Sequence, residues 1–277
     1  MRATTTDPSM RAFRVAYDGR PYLGFQRQPD VATVEDTLLD ALRELGVIDG
    51  DLPPNYAAAG RTDAGVSALA QTVAFAAPDW LTPAALNGVL PGSVRAWASA
   101  DVAADFHATH DATRRSYRYH LYAPEIDDER AREALDRLAG EGDFHNLTTD
   151  DEGTVRQLET SATRDGDFLV LTLAAGGFAR HMVRRIVSLV QAVGRGASDP
   201  ERVGRVLGPA PLDGPEGVAT APATPLVLTG VTYPDVEFEP DPDAVASARD
   251  VFAERRVDGL VTARVAGELA DGVTDGR

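Results

Sequence analysis

The stretch AGRTDAGVSALAQ, residues 59–71, connects two apolar runs that resemble buried strands, NYAAA at 55–59 and TVAFAA at 72–77. A tight turn requires Gly or Asp, but it does not require Arg beside Asp. The simplest interpretation of the spacing is a β-loop-β connection in which Asp63 is a turn residue. The alternative is a functional carboxylate on a loop between rigid strands, a place where catalytic residues often lie. The spacing alone leaves both interpretations open.

On both sides of this loop, hydrophobic periodicity predicts strands and helices, and the same order of elements occurs twice along the chain. Capping residues mark helix starts, as Thr33 does with Asp36 at the capping-box position, and DGD at 165–167 indicates a hairpin. The first set comprises strands at 12–17, 55–59, 71–77 and 94–100 and helices at 33–46 and 82–90. The second set comprises strands at 114–123, 155–164, 168–175 and 225–233 and helices at 127–140, 178–194 and 199–208.

Each set has the order β-α-β-β-α-β, which is typical of ferredoxin-like and RRM-like units with their helices on one sheet face. We therefore predict an α+β fold of two such halves, whose mixed antiparallel sheets meet at a central cleft. The N-terminal half is expected to cover 1–105 and to carry the loop with Asp63, and the C-terminal half 106–234. Residues 235–277 form an acidic C-terminal extension, expected to be helical over 243–256.

The composition of the 277-residue chain is strongly acidic, with a formal net charge of −16 and a pI of about 4.7. All 27 basic residues are Arg, because the chain contains no Lys. Net negative charge generally opposes binding to nucleic acid. It is also what we expect of a cytoplasmic protein from a salt-rich cell, where negative charge keeps the surface hydrated. The distribution of Arg is therefore more informative than the net charge.

Arg is concentrated in two segments, TRRSYR at 113–118 and ARHMVRR at 179–185. The acidic residues cluster elsewhere, at 125–129, 149–152 and 235–243. Two Arg segments with aromatic neighbours in an acidic chain are either ordinary solvated patches or one anion-binding face. Composition does not decide between these two interpretations.

Several classes of protein and site have no support in the sequence. No apolar run approaches the ~20 residues of a membrane span, and the N-terminal segment MRATTTDPSMR lacks the apolar core of a secretory signal. The absence of Cys excludes disulfides, thiolate metal sites and cysteine nucleophiles. His107 and His110 lie in a linker, where packing or hydrogen bonding is a better interpretation than metal binding. Neither Ser67 nor Ser116 has a recognisable base nearby, and no P-loop or dinucleotide fingerprint occurs.

Taken together, six segments in order give the chain a family resemblance. The stretch at 59–71 resembles the signature of the TruA-type tRNA pseudouridine synthases, and the resemblance extends over roughly residues 12–234. The other five segments are YDGRPYLGFQRQP at 17–29, TVEDTLLDAL at 33–42, DFHATHDATRRSYRY at 105–119, GGFARHMVRRIV at 176–187 and PLVLTGVTYP at 225–234.

The resemblance implies roles for three residues. Asp63 corresponds to the essential carboxylate, which would either attack a carbon centre covalently or take a ribose proton and stabilise positive charge on the sugar. Tyr117 would stack on the target base and assist removal of its C5 proton. The alternative for Tyr117 is an ordinary strand aromatic, facing the core together with Tyr119 and Tyr122. Arg184 would pair with Asp63, favour its ionised form and fix its direction.

Further expectations follow from the same resemblance. Arg61 would contact phosphate or fill the space left by the flipped base. Phosphate contacts are also expected from Arg114, Arg115, Arg180 and Arg185. The reaction breaks and remakes a glycosidic bond without redox or hydrolysis, so no cofactor and no metal is expected. The family acts in the cytoplasm as a homodimer with tRNA across both subunits, and the expected substrate is uridine at tRNA positions 38–40 in the anticodon arm.

Two other functions compete with this one. A tRNA-binding protein without catalysis would not need Asp63, Tyr117 and Arg184 together. An RNA glycosidase or nuclease using Asp63 as a general base would need a second carboxylate or a metal-ligand cluster, and no motif for either is evident.

The chain also departs from the family pattern. Ser67 stands where bacterial members carry His, as in the archaeal and eukaryotic branch, and the acidic extension has no counterpart in the family pattern. Phosphate-driven affinity falls steeply with salt. In a salt-rich cell, RNA binding would therefore depend on shape, stacking and bidentate Arg contacts.

Overall fold

The computed structural model describes residues 9–212, 214 and 217–274, in which ten strands and six α-helices form a mixed α+β fold. The strands are β1 (Ser9–Tyr17), β2 (Ala57–Ala58), β3 (Ser67–Ala77), β4 (Val94–Asp101), β5 (Arg114–Tyr122), β6 (Gly140–Asp143), β7 (Val155–Asp165), β8 (Phe168–Ala175), β9 (Leu226–Thr232) and β10 (Glu239–Pro240). The helices are α1 (Val34–Glu44), α2 (Pro83–Asn87), α3 (Asp128–Leu138), α4 (Met182–Gly194), α5 (Glu201–Val206) and α6 (Pro242–Thr274).

The first half has the strand order of a ferredoxin-like unit. β1 lies between β4 and β3 and is antiparallel to both, and the two-residue β2 pairs with the far edge of β3. Helix α1 begins as the sequence predicts, because the Thr33 hydroxyl accepts a hydrogen bond from the Asp36 backbone N–H at 3.1 Å. The same hydroxyl donates to the Asp36 carboxylate at 2.6 Å, so Asp36 does contribute to the cap.

The second half repeats this order and adds one strand. β5 lies between β9 and β8, β7 follows β8, and β6 pairs with the outer edge of β7. The predicted hairpin is present, with Gly166 in the left-handed region at φ 56° between β7 and β8. The sequence did not predict β6, because its residues, GEGD, have low strand propensity and depend on pairing with β7.

The two sheets meet by direct hydrogen bonding, so the predicted α+β fold with meeting sheets is confirmed. Ser67 and Ala68 of β3 pair with Val227 and Leu228 of β9 in parallel orientation, and this pairing joins both halves into one ten-stranded sheet. Two hydrophobic cores lie on either side of this junction. The residue ranges predicted for the two halves remain a prediction.

Helix α4 carries the predicted apolar stripe, but it begins later than the sequence suggests. Met182, Ile186, Leu189 and Val193 are all buried in the core of the second half. The helix begins at Met182 and not at 178, because the preceding residue, His181, has φ 62° and ψ −1° and cannot continue a right-handed helix.

The placement of three tyrosines together in the core was wrong for one of them. Tyr119 is buried, whereas Tyr122 is 59% exposed. The two residues are three positions apart on β5, and side chains of a strand alternate between its faces. Tyr117 and Tyr119, two positions apart, do point to the same side.

The acidic extension is helical over a longer range than predicted. Helix α6 packs its first turns against β4 and α2, with Ala244 and Ala248 buried, and continues to Thr274. Most residues after Arg256 are exposed. Within the described ranges, no helix combines the length and the apolar character that crossing a membrane requires.

Close packing between α4 and α3 makes Gly194 sensitive to substitution. A Cβ at Gly194 would lie 2.6 Å from Ile126 Cγ1 and 3.2 Å from the Cβ of Ala131. We expect Gly194→Ala to lower the free energy of unfolding by about 1–3 kcal/mol through overpacking. The measurement is urea denaturation in high salt.

Gly204 in α5 provides the matched control. A Cβ there would meet no atom within 4 Å, so Gly204→Ala should raise stability slightly, by about 0.5–1 kcal/mol, through helix propensity. Equal effects of the two substitutions would contradict the packing argument.

Candidate active site

Asp63 lies on a loop that ends at the junction of the two halves. We call residues 59–66 the Asp63 loop; it connects β2 to β3. The backbone N–H of Val66 donates to the Asp63 carbonyl oxygen at 3.1 Å, and Gly65 between them has φ 81°. Asp63 is therefore part of a tight turn, as the simpler interpretation proposed, but its side chain has a second set of contacts.

The Asp63 carboxylate pairs with an arginine from the other half. Arg184 Nη1 donates to Asp63 Oδ2 at 2.8 Å. The guanidinium is held in turn by the carbonyl oxygen of Ala221, which accepts from Arg184 Nε at 2.7 Å. The Asp63 side chain is 28% exposed and that of Arg184 is 17% exposed. The ion pair therefore fixes the orientation of the carboxylate, which stays accessible to solvent.

His181 is a third member of this site; it lies in the segment at 176–187 that carries the family resemblance, but the sequence analysis gave it no role. Its Nε2 lies 3.7 Å from Asp63 Oδ2, which permits a charged pair when the imidazole is protonated but is too long for a hydrogen bond. His181 also adopts a left-handed backbone conformation, which is uncommon for a residue with a side chain. Such conformations concentrate at functional sites, and this is the feature that marks His181.

Tyr117 lies near the same carboxylate. Its half-buried ring packs edge to face against Phe178, with ring centroids 5.2 Å apart. Burial raises the pKa of the Tyr117 phenol to about 12; the Asp63 carboxylate raises this pKa further and Arg115 opposes the change. The phenol is therefore protonated at neutral pH and can donate a hydrogen bond.

Arg115 holds the Asp63 loop through hydrogen bonds to backbone carbonyl oxygens and does not extend freely into solvent. It donates to the Ala59 carbonyl from Nε at 3.1 Å and from Nη2 at 2.7 Å. It also donates to the carbonyl oxygens of Gly176 at 2.7 Å and Thr109 at 2.8 Å. These contacts occupy most of the N–H donors of the guanidinium, so Arg115 links three segments of the chain.

The other predicted phosphate contacts differ in how they are placed. Arg114 forms an ion pair with Glu159 at 2.8 Å, and Arg185 donates to a backbone carbonyl oxygen at 3.0 Å. The side chains of Arg61 and Arg180 are exposed. The geometry thus brings Asp63, Tyr117 and Arg184 together and leaves Arg61 and Arg180 as the more accessible cations.

A second loop holds the Asp63 loop from the N-terminal side. We call residues 17–25 the supporting loop; it starts at the last residue of β1. The Tyr17 hydroxyl lies 2.8 Å from Thr62 Oγ1, and the Phe25 N–H donates to the Thr62 carbonyl at 3.1 Å. Close to the turn, the Gly65 N–H donates to a carbonyl of the supporting loop at 3.2 Å.

The two linker histidines pack as the sequence suggested. The rings of His107 and His110 lie 4.1 Å apart, and His107 Nδ1 accepts a hydrogen bond from the Thr109 backbone N–H at 3.2 Å. In the part of the chain that the structure describes, no group of three or more His, Cys, Asp or Glu is placed to hold a metal ion.

Comparisons with known proteins identify relatives of this chain. A sequence profile described as tRNA pseudouridine synthase matches residues 134–234. The tRNA pseudouridine synthase A of Haloarcula marismortui is 59% identical over 275 residues, covering 95% of this chain and 100% of that protein. The protein of the same name from Natronomonas pharaonis is 60% identical over 264 residues, covering 94% and 99%. That of Methanothrix thermoacetophila is 38% identical over 239 residues, covering 83% and 85%.

These matches define the class of protein, a tRNA-modifying isomerase. The chain belongs to the tRNA pseudouridine synthase family. The halophilic relatives also support the interpretation of the net charge of −16 as an adaptation to salt. Among solved structures, a Cbf5-Nop10-Gar1 complex matches with 11% identity and a TM-score of 0.37, over 70% of this chain and 51% of that chain. The fold is defined by the strand order of the two halves.

The contacts of Arg115 predict that its shape matters more than its charge. Arg115→Lys keeps the charge, but one compact ammonium group cannot span three carbonyl oxygens as the planar guanidinium does. We expect pseudouridine formation to fall by about tenfold or more and unfolding free energy to fall by about 1–3 kcal/mol. Single-turnover assays and denaturation measure the two effects.

Arg118→Lys is the control, because Arg118 lies on the same strand β5 and its side chain is exposed. Its turnover should stay within about twofold of the unmodified enzyme. If Arg115 instead only contacted phosphate, Arg115→Lys would weaken tRNA binding mildly and leave stability unchanged.

Proposed function

We propose that Asp63 is the catalytic carboxylate of a tRNA pseudouridine synthase that acts on uridine at positions 38–40 of the anticodon arm. The observation that carries the proposal is the pairing of Asp63 with Arg184 across the two halves at 2.8 Å. An accessible carboxylate, fixed in direction by a half-buried guanidinium, is the group that this isomerisation requires.

The chemistry needs one carboxylate and no external reagent. The bond between N1 of uracil and C1′ of ribose breaks, the base turns, C5 bonds to C1′, the C5 proton leaves and N1 gains a proton. Asp63 serves either as a nucleophile at the sugar or as the base that takes a ribose proton. In both routes Arg184 keeps the carboxylate oxygen directed at the sugar.

Tyr117 is proposed to hold the base during this rearrangement. Its ring packs against Phe178, and the phenol is close enough to Asp63 for the negative charge of the carboxylate to raise the phenol pKa. A pKa of about 12 means that the phenol is a hydrogen-bond donor in the resting enzyme, which favours stacking and orientation as its first role. Assistance in removing the C5 proton would require the phenol to lose its own proton first.

The exposed cations Arg61 and Arg180 are proposed to contact the RNA. Arg61 is two residues from Asp63, where a guanidinium can contact phosphate or replace the flipped base in the stack. Arg185 and Arg114 have partners in the free protein, and contact with phosphate would require them to exchange those partners. We therefore rank them below Arg61 and Arg180.

Two copies of the chain are proposed to hold one tRNA between them, and the reaction is proposed to occur in the cytoplasm, where mature tRNA is found. Light scattering in high salt, with and without tRNA, tests the dimer; a monomer in both conditions would contradict it.

Asp63→Asn tests the assignment of the catalytic carboxylate. The substitution keeps the size of the side chain but removes the charge, so pseudouridine formation should fall below detection. Binding of unmodified tRNA in high salt should stay within about fivefold, because Asp63 is not proposed to provide binding energy. Chemical adduct formation and primer extension map the modified positions.

The control is Asp105→Asn, an exposed carboxylate in the linker, which should retain full activity. A fully active Asp63→Asn would overturn the assignment. Binding without any pseudouridine in the unmodified enzyme, or strand cleavage or base loss, would overturn the proposed function itself.

A further inference from the structure

The supporting loop contacts the end of the Asp63 loop at Gly19. The N–H of Gly19 donates to Ser67 Oγ at 3.0 Å, at the end of the Asp63 loop. A Cβ at Gly19 would lie 2.0 Å from the carbonyl oxygen of Val66, so no larger residue fits without moving one of the loops. The position of Gly19 therefore helps to set where the Asp63 loop ends and β3 begins.

The position of Gly19 is set in turn by a buried carboxylate. Its neighbour Asp18 is only 7% exposed. Asp18 Oδ1 accepts from Arg20 Nε at 2.9 Å and from the Arg20 backbone N–H at 3.1 Å, and Oδ2 accepts from Arg20 Nη2 at 2.8 Å. Burial raises the pKa of Asp18, but hydrogen bonds from Arg20 and the charges of Arg20 and Arg255 outweigh this and lower it overall.

The second arginine on Asp18 comes from the C-terminal helix. Arg255 Nη1 donates to Asp18 Oδ2 at 2.6 Å across a sequence separation of 237 residues. Arg20 is a local partner with a 60% exposed side chain, whereas the Arg255 side chain is 32% exposed. Arg255 is thus the partner that ties Asp18 to a different element of the fold.

Helix α6 is a firm support for this contact. Its N-terminal turns are held by Asp241, whose N–H donates to the Trp97 carbonyl at 3.0 Å and whose carboxylate accepts from the Ala84 N–H at 3.1 Å. Ala244 and Ala248, in the first turns of α6, are buried. Because α6 is anchored on β4 and α2, Arg255 reaches Asp18 from an element that is held independently of the supporting loop.

We propose that Arg255 is a positioning residue for the isomerisation. Through Asp18, Gly19 and Ser67 it fixes the end of the Asp63 loop, and the C-terminal helix thereby becomes part of the support of the active site. The inference rests on the proposed role of Asp63. It also assigns a purpose to Ser67, whose hydroxyl accepts the Gly19 N–H.

The test compares Arg255→Gln with Arg256→Gln in the full chain. Arg256 is the next residue of the helix and is exposed, and it is not a partner of Asp18. Single-turnover and steady-state assays on unmodified tRNA in high salt should show kcat reduced about tenfold for Arg255→Gln, with KM within twofold. Arg256→Gln should leave kcat unchanged. Arg255→Lys should recover part of the loss, because an ammonium group can still pair with Asp18.

Ser67→Ala interrupts the same chain of contacts at its other end and keeps the test decisive if Arg255→Gln folds poorly. Ser67→Ala should also lower kcat at constant KM. The double variant should lose less than the product of the two single effects, because both act through one path. Multiplicative losses, an unchanged kcat in Arg255→Gln, or a change confined to KM would overturn the inference.

These outcomes are separate from failure of the proposed function. If Asp63→Asn is inactive while Arg255→Gln and Ser67→Ala retain full kcat, only the positioning role is wrong. If the unmodified chain forms no pseudouridine, or Asp63→Asn stays active, the proposed function fails before the role of Arg255 is reached.

Discussion

The structure depends on a two-residue parallel pairing between β3 and β9. Ser67 and Ala68 pair there with Val227 and Leu228, and this short ladder is where the two halves become one sheet. Because β3 begins at Ser67, the Asp63 loop ends where the halves join. Val66, the last residue of that loop, is buried in the core of the second half. A shift of one residue in this register would turn the paired side chains to the opposite face and withdraw Val66 from its core.

The Asp63–Arg184 pair is a consequence of that junction. Neither half contains both residues, so the pair exists only when the halves hold a fixed distance. Arg14 strengthens the same junction: it donates to the carbonyl oxygens of Ala70 on β3 at 3.2 Å and Val231 on β9 at 2.5 Å. An isolated surface ion pair is worth little, because ordering two side chains costs about what their attraction gains. Here the backbone has already fixed both Asp63 and Arg184, so their ion pair can orient the Asp63 carboxylate more than it stabilises the fold.

The sequence predicted the fold well wherever a signal was local. Periodicity and caps located the main strands and helices, and the strand order of both halves followed from the repeated β-α-β-β-α-β pattern. What could not be predicted depends on distant partners. β6 has no intrinsic strand preference, the helical path before Met182 is broken by the conformation of His181, and the Asp18–Arg255 contact joins residues 237 positions apart. For the site, family resemblance named Asp63, Tyr117 and Arg184, but only geometry shows that Arg115 is occupied by carbonyl oxygens and that His181 is a neighbour of the carboxylate.

The use of Arg explains how an acidic chain can still be an RNA-modifying enzyme. Arg14, Arg115 and Arg184 all donate to backbone carbonyl oxygens inside the protein, a task for which a planar guanidinium with several donors is better suited than an ammonium group. An Arg side chain bound to internal carbonyl oxygens contributes little to the long-range attraction of RNA. In high salt this attraction is screened beyond a few ångström. Net charge is therefore a poor guide to the ligand of this chain. The proposed RNA contacts therefore act at short range, and they depend on exposed cations such as Arg61 and Arg180 and on the rigidity of the loops that carry them.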